Sequence, residues 1–280
     1  MNSKISRWHS LRTRATGYTL AVFVLCLWAL SLYASRLLQD DMQRLLGEQQ
    51  FQAVSLVAAQ VNGELNDRQD WLGQIAKRID ADMMSHPAAL QAYLDQRVVL
   101  LHMFNAGVFA TGTDGIAIAD VPLSTGRIGT NYLDRESVSV PLKTGQSVIG
   151  RPAMGKKLGA PIFSIVTPIR DASGAVIGTL VGTINLGKPN FLNKIAQGQY
   201  GKTGGYFLIA PQHTLIVTAS DKARTMQPLP ASGLNAMHDR YMQGYEGFGV
   251  AVSSQSRPAL TGVQRGQVPG LTPCLNPWPA

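Results

Sequence analysis

The residues best equipped for chemistry lie mid-chain. Tyr132, Arg135, Arg151, Lys156 and Lys157 precede two apolar segments that carry Thr167, Thr179 and Thr183. The Arg135 guanidinium can grip a carboxylate through two parallel N–H bonds, and the Lys156 ammonium can add a point charge. Strand alternation over 161–170 groups Phe163, Ile165 and Thr167, and over 175–186 it groups Thr179, Val181 and Thr183. An apolar floor with a few hydroxyls and cations suits a small polar ligand. The expected contacts are Tyr132, Arg135, Lys156, Phe163, Thr167 and Thr183. The competing reading makes Arg135 a surface residue paired with Asp134, and Lys156-Lys157 a solvated turn.

Other patterns that suggest chemistry lose on context. Residues 196–203, A-Q-G-Q-Y-G-K-T, fit a relaxed phosphate-loop spacing. Such a loop must follow a strand and open a helix, whereas a helical stretch precedes this one and the strand-like G-Y-F-L-I-A follows. His86, His102, His213 and His238 are far apart, with no H-E-x-x-H run, and no G-x-S-x-G elbow is present. No catalytic residue, metal site or cofactor is therefore expected. An anchored hydrolase with an unrecognised site is the rival function class.

These residues need elements to hold them, and the first element is a membrane run. Ala15 to Ser35 contains no charged side chain. At about 1.5 Å per residue its helix covers roughly 31 Å, close to a bilayer's hydrocarbon core. Lys4, Arg7, Arg12 and Arg14 precede it, and the first acidic residue is Asp40. That asymmetry puts the N-terminus in the cytoplasm and the rest outside, on a single-pass plasma (inner) membrane anchor. A cleaved signal peptide is the alternative, but its apolar stretch is usually only about 7–15 residues. The net charge of +8 is largely this orientation signal, because residues 37–280 carry 20 basic and 17 acidic side chains. No nucleic-acid partner is implied. Cys26 lies in the membrane run and Cys274 near the end, so the outer part has no cysteine pair.

Beyond the membrane, apolar residues from Leu38 to Ile79 recur at spacings of three and four, the pattern of a long amphipathic helix. Gly47, Gly63 and Gly73 weaken it, and Ser85 followed by Pro87 resembles a capped second helix. From Phe104 the period becomes strand-like. G-T-D-G joins one hairpin, a short helix follows near 132–142, and D-A-S-G joins a second hairpin. A weaker copy follows, with a helix at 190–197, strands around a 211–213 turn, a helix near 235–242 and the strand G-V-A-V-S-S. The fold class is α+β: a transmembrane helix, a long helix and two antiparallel-sheet modules.

The ordered set T-D-G, G-R-I-G-T-N-Y-L-D-R, S-V-I-G-R-P-A-M-G-K-K-L-G-A-P-I-F, T-P-I-R-D-A-S-G-A-V-I-G and Y-G-K-T-G-G-Y-F-L-I-A resembles the bacterial double Cache sensor domain over roughly residues 18–265. The resemblance implies two PAS-like modules outside the membrane, as in chemoreceptors, sensor histidine kinases and diguanylate cyclases, with a small ligand in the membrane-distal one. It divides the chain into a cytoplasmic tail (1–14), transmembrane helix (15–35), long helix (36–86), distal module (87–189), proximal module (190–265) and Pro-rich tail (266–280). Signal transmission would run through the long helix, and a homodimer through that helix is one arrangement open to it. Amino-acid-binding members follow the arginine with an aromatic pair and place an aspartate near the end of the last distal strand. Here Arg135 is followed by Glu136-Ser137-Val138, and Thr183 stands in the aspartate's place. A small carboxylate is the expected ligand.

The resemblance also implies a closing strand, a return helix, a second span and an output domain after Arg265. The sequence instead gives G-Q-V-P-G-L-T-P-C-L-N-P-W-P-A. Prolines at 269, 273, 277 and 279 remove ladder donors, so the second module is expected to be incomplete. A shifted or truncated reading frame near Arg265 would explain this, as would a genuine disordered tail. In the truncated case the chain would be a non-signalling fragment.

Overall fold

The computed structural model describes residues 11–192, 204–210, 214–229, 231, 233, 236–252, 258–263 and 272–277. It separates into two compact units, Met1–Gln49 and Gln50–Ala280.

The first unit contains the start of helix α1, Leu11–Ala76. Leu20, Phe23, Leu25, Trp28 and Leu30 expose their side chains there. Among the described residues, α1 is the one helix long and apolar enough to cross a membrane.

In the second unit α1 presents a strict stripe. Val54, Ala58, Val61, Leu65, Leu72 and Ile75 are all buried, at spacings of three, four or seven, and Ile79 just past the helix end continues the pattern. Gly63 and Gly73 do not break the helix, because burial of this stripe outweighs a propensity cost of about 1 kcal/mol per glycine. Arg68 occupies the stripe's remaining position and is buried too. Its Nε donates to the Met103 carbonyl at 3.0 Å, its Nη1 pairs with Glu64, and its guanidinium lies 3.9 Å from the Phe191 ring centre.

The helix ends at Ala76, well before Pro87. Asp80 caps α2 (Ala81–Ser85), its carboxylate accepting the Met83 N–H at 2.8 Å. Ser85 is the last residue of α2 rather than a cap for the next helix, and Pro87 opens α3 (Pro87–Asp95). A short α4 (Val99–Met103) leads into the sheet.

The distal sheet contains β1 (Val108–Gly112), β2 (Ala117–Val121), β3 (Val148–Ile149), β4 (Ala153–Met154), β5 (Pro161–Arg170) and β6 (Val176–Asn185). Their order is β2-β1-β6-β5-β3, with β4 also on β5, and every pairing is antiparallel. Helix α5 (Glu136–Thr144) packs on one face of it. The two-residue strands β3 and β4 leave too little pattern to be read from sequence. Both expected hairpins form. Gly115 and Gly174 take the positive φ their turns require, and the Asp171 carboxylate accepts the N–H groups of Ser173 and Ala175.

The proximal sheet contains β7 (Gly204–Ala210), β8 (Leu215–Ala219), β9 (Gly247–Val252), β10 (Pro258–Val263) and β11 (Thr272–Pro277), with α6 (Ala236–Met242) beside it. Its order is β8-β7-β11-β10-β9, which in chain order is the distal arrangement again: second, first, last, penultimate, third. This corrects the expectation of a missing closing strand, since residues of the Pro-rich tail fill that central place. Pro273 and Pro277 share strand parity, so both missing N–H groups fall on one edge of β11. The ladder to β10 is the short one, with two residue pairs against six to β7. The helix expected over 190–197 lies outside the described residues beyond Leu192, as do the 196–203 loop and the 211–213 turn.

One core joins the stripe to both sheets. It includes Phe104, Val108, Phe163, Ile165 and Leu180 of the distal module and Tyr206, Leu208 and Val217 of the proximal one. Gly182 in β6 lies against Phe104, where an added methyl would sit 2.3 Å from the ring. Gly182→Ala should therefore destabilise the protein by about 1–3 kcal/mol, read as a lower melting temperature of the full chain in detergent.

Candidate functional site

The long helix takes one face of the distal sheet, and α5 covers the other over a smaller apolar cluster. That cluster contains Phe109, Ala117, Tyr132, Val138, Val166 and Val181. At its end opens a cavity of about 50 Å³. Phe109, Val181, Thr183 and Ser164 line it from the sheet, Tyr132 and Val138 from the α5 side, and residues 151–158 from a connecting strap. Thr183 and Ser164 are direct partners across the β5–β6 ladder, so their hydroxyls share the cavity face.

Five of the six expected residues line this cavity: Tyr132, Arg135, Lys156, Phe163 and Thr183. Thr167 does not. It accepts a hydrogen bond from Ser147 Oγ at 3.2 Å and lines a separate open groove beside residues 69–77 at the C-terminal end of α1. Alternation on β5 is one residue out of step with the expectation. Phe163, Ile165 and Ile169 pack in the long-helix core, and Val166 belongs to the α5 side. Phe163 touches the cavity lining, while its ring packs edge-on at 6.4 Å from Phe191. On β6, Val181 and Thr183 share the cavity face, as strand alternation groups them.

The strap is tied down by cations. Arg135 Nη2 donates to the Met154 carbonyl at 3.0 Å, and Lys156 Nζ donates to the Asn131 carbonyl at 2.7 Å. The Asp134 carboxylate holds Lys156 at 2.6 Å and lies 3.9 Å from Arg135 Nε. Arg135 and Lys156 each line the cavity, and each lies within reach of Asp134, the partner that the competing reading gave to Arg135. The Lys156 hydrogen bond is the main cause that holds the Asp134 carboxyl below its ordinary range. Lys156 also sits 5.3 Å from the centre of the Tyr132 ring. Tyr132 packs against Phe109 with ring centres 4.7 Å apart and planes tilted by 38°, and burial pushes its phenol pKa up against the opposing pull of Arg127.

Arg127 is the residue that sequence reasoning missed. It is 2% exposed, lines the cavity, and pairs with the fully buried Asp120 at 2.6 Å. Its backbone N–H donates to the other Asp120 oxygen, and its Nη2 donates to the Ala106 carbonyl. Gln91 of α3 closes the network by bonding both the N–H and the C=O of Asp120 at 2.9 Å. The available signal was an arginine between two glycines, Gly126 and Gly129, both at positive φ.

Thr183 has a further property. Its side-chain oxygen is buried and has no hydrogen-bond partner among the described residues. Among those residues no group of three or more histidine, cysteine or acidic side chains could hold a metal ion.

The double Cache domain model (dCache_1, "Cache domain") matches residues 38–262, and the chain belongs to that family of sensor domains. No functionally curated protein matches the sequence significantly. Among solved structures, the extracellular domain of rpHK1S-Z16, named as a histidine kinase, superposes with a TM-score of 0.67 at 13% identity, covering 84% of this chain and 95% of that one. The sensor domain of the Vibrio cholerae histidine kinase DctB gives 0.62 at 17% identity, covering 85% and 98%. The ligand-binding domain of the Pseudomonas fluorescens chemoreceptor CtaA in complex with L-serine gives the same figures. At these identities the likeness shows the fold.

Two outcomes test this geometry. Asp120→Ala leaves Arg127 buried and unpaired, and should cost about 3–5 kcal/mol, seen as a melting temperature lowered by about 10 °C. Because its folded-state pKa is depressed, Asp134 stabilises the fold above the ordinary aspartate value of 3.8 and loses that effect as pH falls through the lower folded value. The melting difference between wild type and Asp134→Asn should therefore hold steady from neutral pH to about 4 and close below it.

Proposed function

We propose that this chain is a membrane-anchored extracytoplasmic sensor whose distal module binds a small organic anion, a short carboxylate in the first instance, and passes the binding event to a signalling output. The observation that carries this reading is the charge balance of the cavity. Arg127, Arg135, Arg151, Lys156 and Lys157 line it against one acid, Glu136. The nearby Asp120 and Asp134 are already committed to Arg127 and Lys156.

A carboxylate entering here gains charge-assisted hydrogen bonds from Arg135 and Lys156 without desolvating a new acid. An ammonium group meets cations instead. CtaA was solved with L-serine, which carries both a carboxylate and an ammonium. Only the carboxylate half of such a ligand suits this cavity, so α-amino acids bind poorly.

The anchor is the apolar run of α1, and the stripe-bearing half of the same helix carries the signal. Binding that favours one arrangement of the strap and α5 over another shifts the distal module's equilibrium by the difference in affinity. Leu38, Met42 and Leu45 are exposed at three- and four-residue spacing, which suits a parallel pairing of two copies. Binding without turnover is the expected behaviour.

Thermal unfolding of the full chain in detergent tests the proposal. Short carboxylates at a hundredfold excess over Kd should raise the melting temperature by about 5–10 °C. Arg135→Ala should abolish the shift, and L-serine should give none. A full shift retained in Arg135→Ala would remove that arginine from the site, and a shift with L-serine alone would overturn the anion reading.

A further inference from the structure

Resting on that reading, we infer that the ligand is a 2-hydroxy or 2-oxo monocarboxylate of two or three carbons, and that Thr183 is the residue that selects the oxygen beside the carboxylate. Three observations converge on this class: the size of the cavity, the unpartnered hydroxyl within it, and the sign of the charges around it.

The cavity of about 50 Å³ sets the size. At about 10–15 Å³ per water-sized group it holds roughly three to five such groups, which favours a short acid over a long one. A longer dicarboxylate or a large amino acid would need the strap to move.

The hydroxyl sets the chemistry. Thr183 is 1% exposed, lines the cavity, and its Oγ1 has no hydrogen-bond partner among the described residues. Its backbone N–H and C=O are both used, bonded to Gly107 and Ala106, so the strand that carries it is fixed in place. A buried hydroxyl left unsatisfied is costly, and a ligand that completes it recovers that cost. A hydroxyl both donates and accepts, so it serves a ligand hydroxyl or a ligand carbonyl. Ser164, directly across the ladder, widens the polar spot on the same floor.

The charges decide against nitrogen. Arg127 and Lys156 are paired with Asp120 and Asp134, which leaves Arg135, Arg151 and Lys157 against Glu136, so the remaining positive balance disfavours an ammonium at the Thr183 position but not a neutral oxygen. The carboxylate then sits toward Arg135 and Lys156, and the oxygen on the adjacent carbon turns to Thr183.

Lactate and propionate differ only by that hydroxyl, so calorimetric titration of the full chain in detergent with each acid isolates it. Wild type should bind lactate at least about tenfold more tightly than propionate. Thr183→Val should bring the two affinities together by weakening lactate alone, and Thr183→Ser should keep the preference. The valine variant should also melt no lower than wild type in the absence of ligand, since it removes an unpartnered buried hydroxyl rather than a structural bond. Equal wild-type affinities, or a preference that survives Thr183→Val, would overturn this inference while leaving the small-anion reading intact through the binding of propionate. If wild type binds neither acid, nor acetate or pyruvate, both readings fall.

Discussion

The apolar stripe of α1 from Val54 to Ile75, continued by Ile79 just past the helix end, is the constraint on which the other features depend. It supplies one side of a core shared with both sheets, so it fixes which face of each sheet is interior. A strand has only two faces, and assigning one to the helix leaves the other for function. In the distal sheet that second face carries α5, the small cluster around Phe109 and Tyr132, and the cavity. Arg68 shows how firmly the stripe is seated. A charged residue is buried in it only because a carbonyl, a carboxylate and an aromatic face all receive its guanidinium.

The site itself is held by electrostatics at two depths. Asp120 and Arg127 form a buried pair, with Gln91 and backbone groups completing the bonds that burial demands. Nearer the surface, Asp134 holds Lys156 and lies close to Arg135, keeping both cations oriented over the cavity. On the proposed reading, a ligand carboxylate would meet donors that are already placed, so less ordering would oppose its binding.

Much of this was legible in the sequence because it rests on period and turn chemistry. The helical stripe, the Asp114-Gly115 and Asp171–Gly174 hairpins, and the placing of Val181 and Thr183 on one face of β6 all follow from spacing. Other features were hidden for identifiable reasons. The β5 segment is apolar at nearly every position, so alternation could not say which parity faces the helix, and Thr167 was placed on the wrong side. Arg127 and Asp120 are seven residues apart on a strand and a loop, and only the fold brings them together. The β11 segment contains two prolines and reads as a breaker. Its place between β7 and β10 is decided by the sheet's vacancy for a central strand, which local propensity does not report.

Hydrogen exchange on the full chain in detergent, with and without lactate and separately propionate, tests the central claim most directly. The account predicts slower exchange in residues 131–138, 151–158 and 181–185, where the cavity lining lies, with little direct change in the amides of β7 and β8. Protection confined to the proximal sheet, or bound acid with no change around Arg135 and Thr183, would contradict it.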